Sequence, residues 1–166
     1  MSTLKVGTIQ DHANSNTAIN IDSGGRVTLG QKVAWHIGGT DGTGNITTSP
    51  VPWRTVILDY QNGWNDANKR YQISVTGLYH VGIDMPSDDT VATWYIEKST
   101  NGGSSYSFIK GIQQRKPAGG NTNTITHSGI FALNANDLLR VTTDGKAYYS
   151  WGTTTYWSGF WGHLIG

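Results

Sequence analysis

The 166-residue chain has no cysteine and a single glutamate, Glu97. Without cysteine there can be no disulfide, no thiolate metal site and no cysteine nucleophile. With one glutamate and few runs of Ala, Leu or Lys, helix-favouring residues are scarce. Glycoside cleavage needs two carboxyl groups facing one sugar, yet the remaining acids are aspartates, most of them in turn signals such as Asp41, Asp66, Asp88 and Asp144. Basic clusters are missing as well. Net charge is +1 and no more than two Lys or Arg stand side by side, so the stripe that binds a nucleic-acid backbone is absent. No stretch approaches the roughly 18 consecutive apolar residues of a membrane span. Residues 1–5 lead into no apolar h-region, so neither membrane insertion nor a secretory signal is expected. A protein of this kind acting outside a cell would leave by lysis or by assembly into a particle.

What is present suits a pleated surface. Gly numbers 22, Thr, Ser and Asn are plentiful, and Val, Ile, Tyr and Trp recur in short runs. The fold class is all-β, and the length suits one domain burying about 70% of its unfolded surface. From residue 32 onward the chain reads as short strands over residues 33–37, 53–58, 71–75, 78–85, 93–98, 106–113, 124–133, 137–142 and 156–165. Residues 38–44 and 61–69 read as polar, Gly-rich or Asn-rich loops, and Asn101, Gly102 and Gly103 form a strong hairpin signal. Strands this short and frequent, with no helical period between them, indicate a sandwich or jelly roll.

Residues 1–31 differ in character. Leu4 and Val6, Ile19 and Ile21, and Val27 and Leu29 alternate with polar neighbours, with a tight turn at residues 22–25. Three short strands with so little apolar material cannot form a core alone. The expectation is an N-terminal attachment or oligomerisation segment over residues 1–31, ordered by partner chains, followed by a head over residues 32–166. At the other end Trp157, Phe160, Trp161, Leu164 and Ile165 would each cost roughly 1.5–3 kcal/mol to leave in water. The closing strand is therefore expected at a sheet centre or in a subunit contact, with Phe160 in the core and Trp157 or Trp161 facing a neighbouring subunit.

No catalytic, cofactor or metal site is expected. Nothing resembles a Ser/His/Asp constellation or a nucleophile elbow, and Gly42 and Gly44 are not followed by the lysine of a phosphate loop. The five histidines, His12, His36, His80, His127 and His163, stand singly, whereas zinc needs three or four converging ligands. Asp88 and Asp89 read as a solvated turn after Pro86 rather than as ligands joining Asp84 around Ca²⁺. The functional signal lies in the aromatics: 8 Tyr and 7 Trp against 3 Phe. Tyr and Trp pair an apolar face with a polar handle, which suits half-wet surfaces. Residues 144–156 are the densest stretch. Trp64, Tyr148, Trp151 and Tyr156 are the candidate ligand contacts, offering rings on which sugar C–H faces stack; Tyr149, Trp157 and Trp161 are the candidate trimer contacts. The alternative for Tyr149 and Trp151 is strand alternation that turns them toward the core.

Three segments in order carry a resemblance: Tyr71 with Gly77, Leu78 and Tyr79; Phe131 to Leu133 with Asn136 and Asp137; and Ser158, Gly159 and Phe160. Residues 32–166 thereby resemble the trimeric jelly roll shared by tumour necrosis factor and the globular head of complement subcomponent q. The hairpin of Trp94 to Lys98 with Asn101 and Gly102 is similar to that family's central hairpin. Asn136 departs from its usual Gly, though Asn tolerates left-handed geometry at some cost. The family's collagen-like stalk is replaced by residues 1–31, whose wording in residues 4–10 and 21–29 resembles the module preceding such heads in tail fibres of marine bacteriophages. The resemblance implies a homotrimeric, non-enzymatic virion protein. It would sit at the distal end of a tail fibre or as a knob, bind other virion proteins through residues 1–31, and bind host-surface glycan through the head. A capsid decoration or cement protein and a cellular carbohydrate-binding module are the alternatives.

Overall fold

The computed structural model describes residues 7–10, 17–29, 32–40, 43–46, 48–87, 91–115, 123–144, 148–151 and 158–165. The chain divides into two compact units, Met1–Lys32 and Val33–Gly166. In the first, β1 (Thr8–Gln10), β2 (Thr17–Ile21) and β3 (Val27–Leu29) form a three-stranded antiparallel sheet in that order. The β2–β3 turn is closed by Asp22, whose Oδ1 accepts from the Gly24 and Arg26 amides at 2.9 and 3.0 Å and whose Oδ2 accepts from Arg26 Nε at 2.7 Å. These bonds to the Arg26 backbone and side chain hold the Asp22 carboxyl below its ordinary range. Ile9 and Val27 remain exposed, in keeping with a sheet too small to bury its own apolar residues. Leu4 and Val6 lie outside the described residues.

The second unit contains β4 (Ala34–Thr40), β5 (Thr43–Ile46), β6 (Trp53–Asp59), β7 (Trp64–Asn65), β8 (Arg70–Gln72), β9 (Gly77–Ser87), β10 (Val91–Ser99), β11 (Ser107–Arg115), β12 (Asn123–Leu133), β13 (Leu138–Thr143), β14 (Tyr148–Trp151) and β15 (Gly159–Leu164). Two five-stranded sheets result, ordered β11-β10-β13-β8-β7 and β12-β9-β15-β4-β6, with a separate β5–β14 ribbon. No helix occurs among the described residues. This is a jelly-roll sandwich, as the strand pattern predicts.

Side-chain alternation builds the core between the sheets. Trp35, Ile37, Tyr79, Val81, Ile83, Met85 and Phe160 come from one sheet, and Tyr71, Trp94, Ile96, Leu139 and Val141 from the other; all are buried. Trp35 joins the layers, stacking on Tyr71 at 4.1 Å between centroids and meeting Phe160 edge-on at 5.7 Å. The closing strand β15 lies at the centre of its sheet, between β9 and β4. Asn136 adopts φ +74° in the turn before β13, where the Asn134 amide donates to Asp137 Oδ2 at 2.9 Å.

Two loop expectations need correction. Residues 38–40 and 43–44 are strand rather than loop, because β4 runs to Thr40 and β5 starts at Thr43. Backbone groups pair whatever their side chains, and here Gly38 faces Gly159 across the ladder while residues 43–46 pair with β14. The polar stretch 61–69 likewise contains a short edge strand, β7, paired with β8.

Candidate functional site

Asp59, at the end of β6, organises the loop that follows. Its Oδ1 accepts from the Gln61 and Gly63 amides at 3.2 and 3.1 Å, and its Oδ2 from the Trp64 amide at 2.9 Å. The Tyr71 hydroxyl also donates to Oδ1 at 3.4 Å. Burial first, and the Asp59 charge second, push the Tyr71 hydroxyl well above the ordinary tyrosine range, so it stays a proton donor at any physiological pH. Asn62 takes the left-handed conformation, φ +52°. Gly63 is required by close approach: a Cβ there would overlap the Tyr71 ring and the Gln72 carbonyl. The Gly63 carbonyl in turn accepts from the Gln72 amide at 2.9 Å.

This folded-back loop and β8 enclose a cleft of about 310 Å³, lined by residues 61–65 together with Arg70, Gln72, Ser74 and Leu138. Its polar groups are amides, a hydroxyl and one guanidinium; Trp64 lines it as part of β7, opposite Tyr71 in the ladder, with its half-buried indole packed against the core. Gln72 Nε2 is held by Asn136 Oδ1 at 3.0 Å. Lys69 closes the far side of the loop, donating to the Trp53 carbonyl at 2.9 Å and to Asp66 at 2.8 Å. That lysine bond is the main cause of the lowered Asp66 pKa. Amides, a hydroxyl and a guanidinium can hold a sugar by hydrogen bonding. No group of three or more His, Asp or Glu able to hold a metal occurs among the described residues.

A second feature occupies the outward face of the β12-β9-β15-β4-β6 sheet. Strand register sets His163, His80 and Ile130 in one row across β15, β9 and β12, and His36, Trp161, Gly82 and Ser128 in the next. The Trp161 indole lies flat over Gly82, where a Cβ would overlap its six-membered ring, and donates to Asp84 Oδ2 at 3.0 Å. His80 meets Trp161 edge-on at 5.1 Å and His163 at 5.4 Å, and its Nε2 lies 2.9 Å from Ser128 Oγ. Burial lowers the His36 pKa below its ordinary value, against the attraction of Asp84. Leu78 and Ile130 stand exposed on this face.

The predicted residues are thus distributed. Trp64 lines the cleft, and Trp161 lies half-buried on the sheet face. Tyr148, Tyr149 and Trp151 belong to β14 in the ribbon with β5, away from β7 in the ladder pattern, and their side chains are outside the described set. Tyr156 and Trp157 lie outside the described residues. Sequence reading missed Asp59 and Arg70, although Asp59 before Gln61, Asn62 and Gly63 carries the turn signal of a side chain bonding amides ahead of it. It also treated the histidines as scattered, while strand pairing gathers His36, His80 and His163.

No family model and no curated protein matches the chain. Among solved structures it is similar to Eiger TNF from S. frugiperda, at 13% identity over 81% of this chain and 93% of that one, with a TM-score of 0.62. It is similar also to the globular domain of zebrafish complement 1qA protein, at 12% identity over 81% of this chain and 98% of that one, with a TM-score of 0.61. The chain has the jelly-roll fold shared by tumour necrosis factor and complement-q globular domains.

Proposed function

We propose that the protein is a non-enzymatic virion component, a self-associating knob at the distal end of a bacteriophage tail fibre that binds host-surface glycan through the Trp64 cleft. The cleft carries the reading: side-chain amides, a hydroxyl and a guanidinium gathered in one space, beside a loop held by the Asp59 hydrogen bonds. The wording of residues 4–10 and 21–29 supports placement on a tail fibre, with residues 1–31 as the attachment to other virion proteins. The one glutamate supports a non-enzymatic role, since Glu97 Oε2 accepts from Arg140 Nε at 2.7 Å and Arg140 packs over the Tyr106 ring at 3.7 Å. Assembly would use the sheet face around Trp161 and Ile130, where an aromatic ring and exposed apolar side chains lie together.

The test is adsorption competition together with glycan-array binding by the purified chain. The expected result is selective glycan binding and block of phage adsorption by the free protein. Silence on the array with no competition would overturn the reading. Gold labelling of intact particles should decorate tail tips; labelling over the capsid would favour a decoration protein instead.

A further inference from the structure

The charge pattern of the cleft narrows its ligand. Arg70 contributes the only cation among the lining residues, and no carboxylate lines the space. The two acids of the neighbouring loop are engaged elsewhere: Asp59 by the amides of Gln61, Gly63 and Trp64, and Asp66 by Lys69. Arg70 forms no ion pair among the described residues, and its Nη1 reaches the Gly102 carbonyl only at 3.5 Å, the outer limit of a hydrogen bond. A guanidinium carries five N–H donors in a planar fork that matches a carboxylate. Such a group in a cleft otherwise lined by neutral amides, one hydroxyl, an indole and a leucine is a cation awaiting an anion.

We propose, building on the glycan reading above, that the Trp64 cleft takes an acidic sugar whose carboxylate is held by Arg70. The sugar's hydroxyl groups then meet Asn65, Gln72 and Ser74, which share with Arg70 the face of β7 and β8 turned away from the core. Bonds between ionised partners are roughly twice as strong as neutral ones, so the carboxylate dominates selectivity while the amides and the Ser74 hydroxyl set orientation.

The test uses the full chain and matched probes differing in one group: galacturonate against galactose oligomers, and 3′-sialyllactose against its carboxyl methyl ester, each by titration. The acidic member of at least one pair should bind about tenfold or more tightly, and the difference should shrink in high salt. Arg70→Gln should abolish the preference and leave weak neutral binding, while Arg70→Lys, which keeps the charge without the fork, should retain part of it. Equal binding of both members overturns the acidic assignment and leaves the glycan reading standing. Binding by none of the four probes, with neutral glycans still captured on an array, overturns it equally; an array silent to every glycan overturns both. A preference that survives Arg70→Gln, or is untouched by Arg70→Lys, removes Arg70 from the role.

Discussion

Among single residues His36 has the clearest pH consequence. Its ring packs against Gly159 on the outward face of the central sheet, with Asp84 the facing carboxylate and His80 and His163 reached through Trp161. Desolvation outweighs the pull of Asp84, so the folded state holds His36 below its ordinary value of 6.5. As pH falls through about 6.5 the unfolded chain takes up this proton before the folded one does, and stability drops. The contribution is fully present above that value and is lost as pH falls toward the folded pKa. Thermal melting should therefore move to lower temperature between pH 7.5 and pH 5.5, and His36→Gln should flatten that dependence. An identical pH slope in the variant would place the acid sensitivity at another group.

At the level of elements, the loop between β6 and β8 depends on one carboxylate. Asp59 joins three backbone amides to the Tyr71 hydroxyl. Asp59→Ala removes these acceptors together and should destabilise the head by roughly 2–4 kcal/mol, read by urea unfolding, with loss of glycan binding even where the chain stays folded. A change below about 0.5 kcal/mol would show that β7 and Gly63 hold the loop unaided. The elements most legible in the sequence were those whose side chains alternate. The closing strand is an example, since Phe160 could only be buried and a strand carrying it with Trp161 and Leu164 belongs inside a sheet. β5 and β7 were not legible, because Thr43 to Ile46 and Trp64 to Asn65 owe their pairing to the backbone ladder rather than to their own apolar pattern. The cleft was half legible. Trp64 stood out in a polar loop, whereas Arg70 became meaningful only when the fold set it among amides with no acid beside it. The histidine face was hidden for a different reason: His36, His80 and His163 are brought together by strands far apart in sequence, and no local spacing records that.

For the whole molecule the outward sheet face is the surface that assembly would use. Trp161, His80 and His163 form a surface of rings laid close to the backbone, bordered by Leu78 and Ile130, the latter 64% exposed. If three copies pack head to tail around an axis, the contact is heterologous and closes into a ring, and it unites on one particle three of the clefts proposed to bind glycan. Linked sites gain avidity of about 10²–10⁴ without any new contact. Ile130→Asp separates assembly from folding, since an exposed side chain changes stability by only about 0.5 kcal/mol, while a charge buried without a partner in a subunit contact is costly. Sedimentation of the wild type at micromolar concentration should give a three-chain species, and the variant should sediment as a monomer with a near-unchanged melting temperature. Its affinity for a soluble monovalent sugar should hold, while its retention on a glycan-coated surface falls by about two orders of magnitude or more. A variant that remains trimeric would move the contact to another surface, and a wild type that is monomeric would remove avidity from the mechanism.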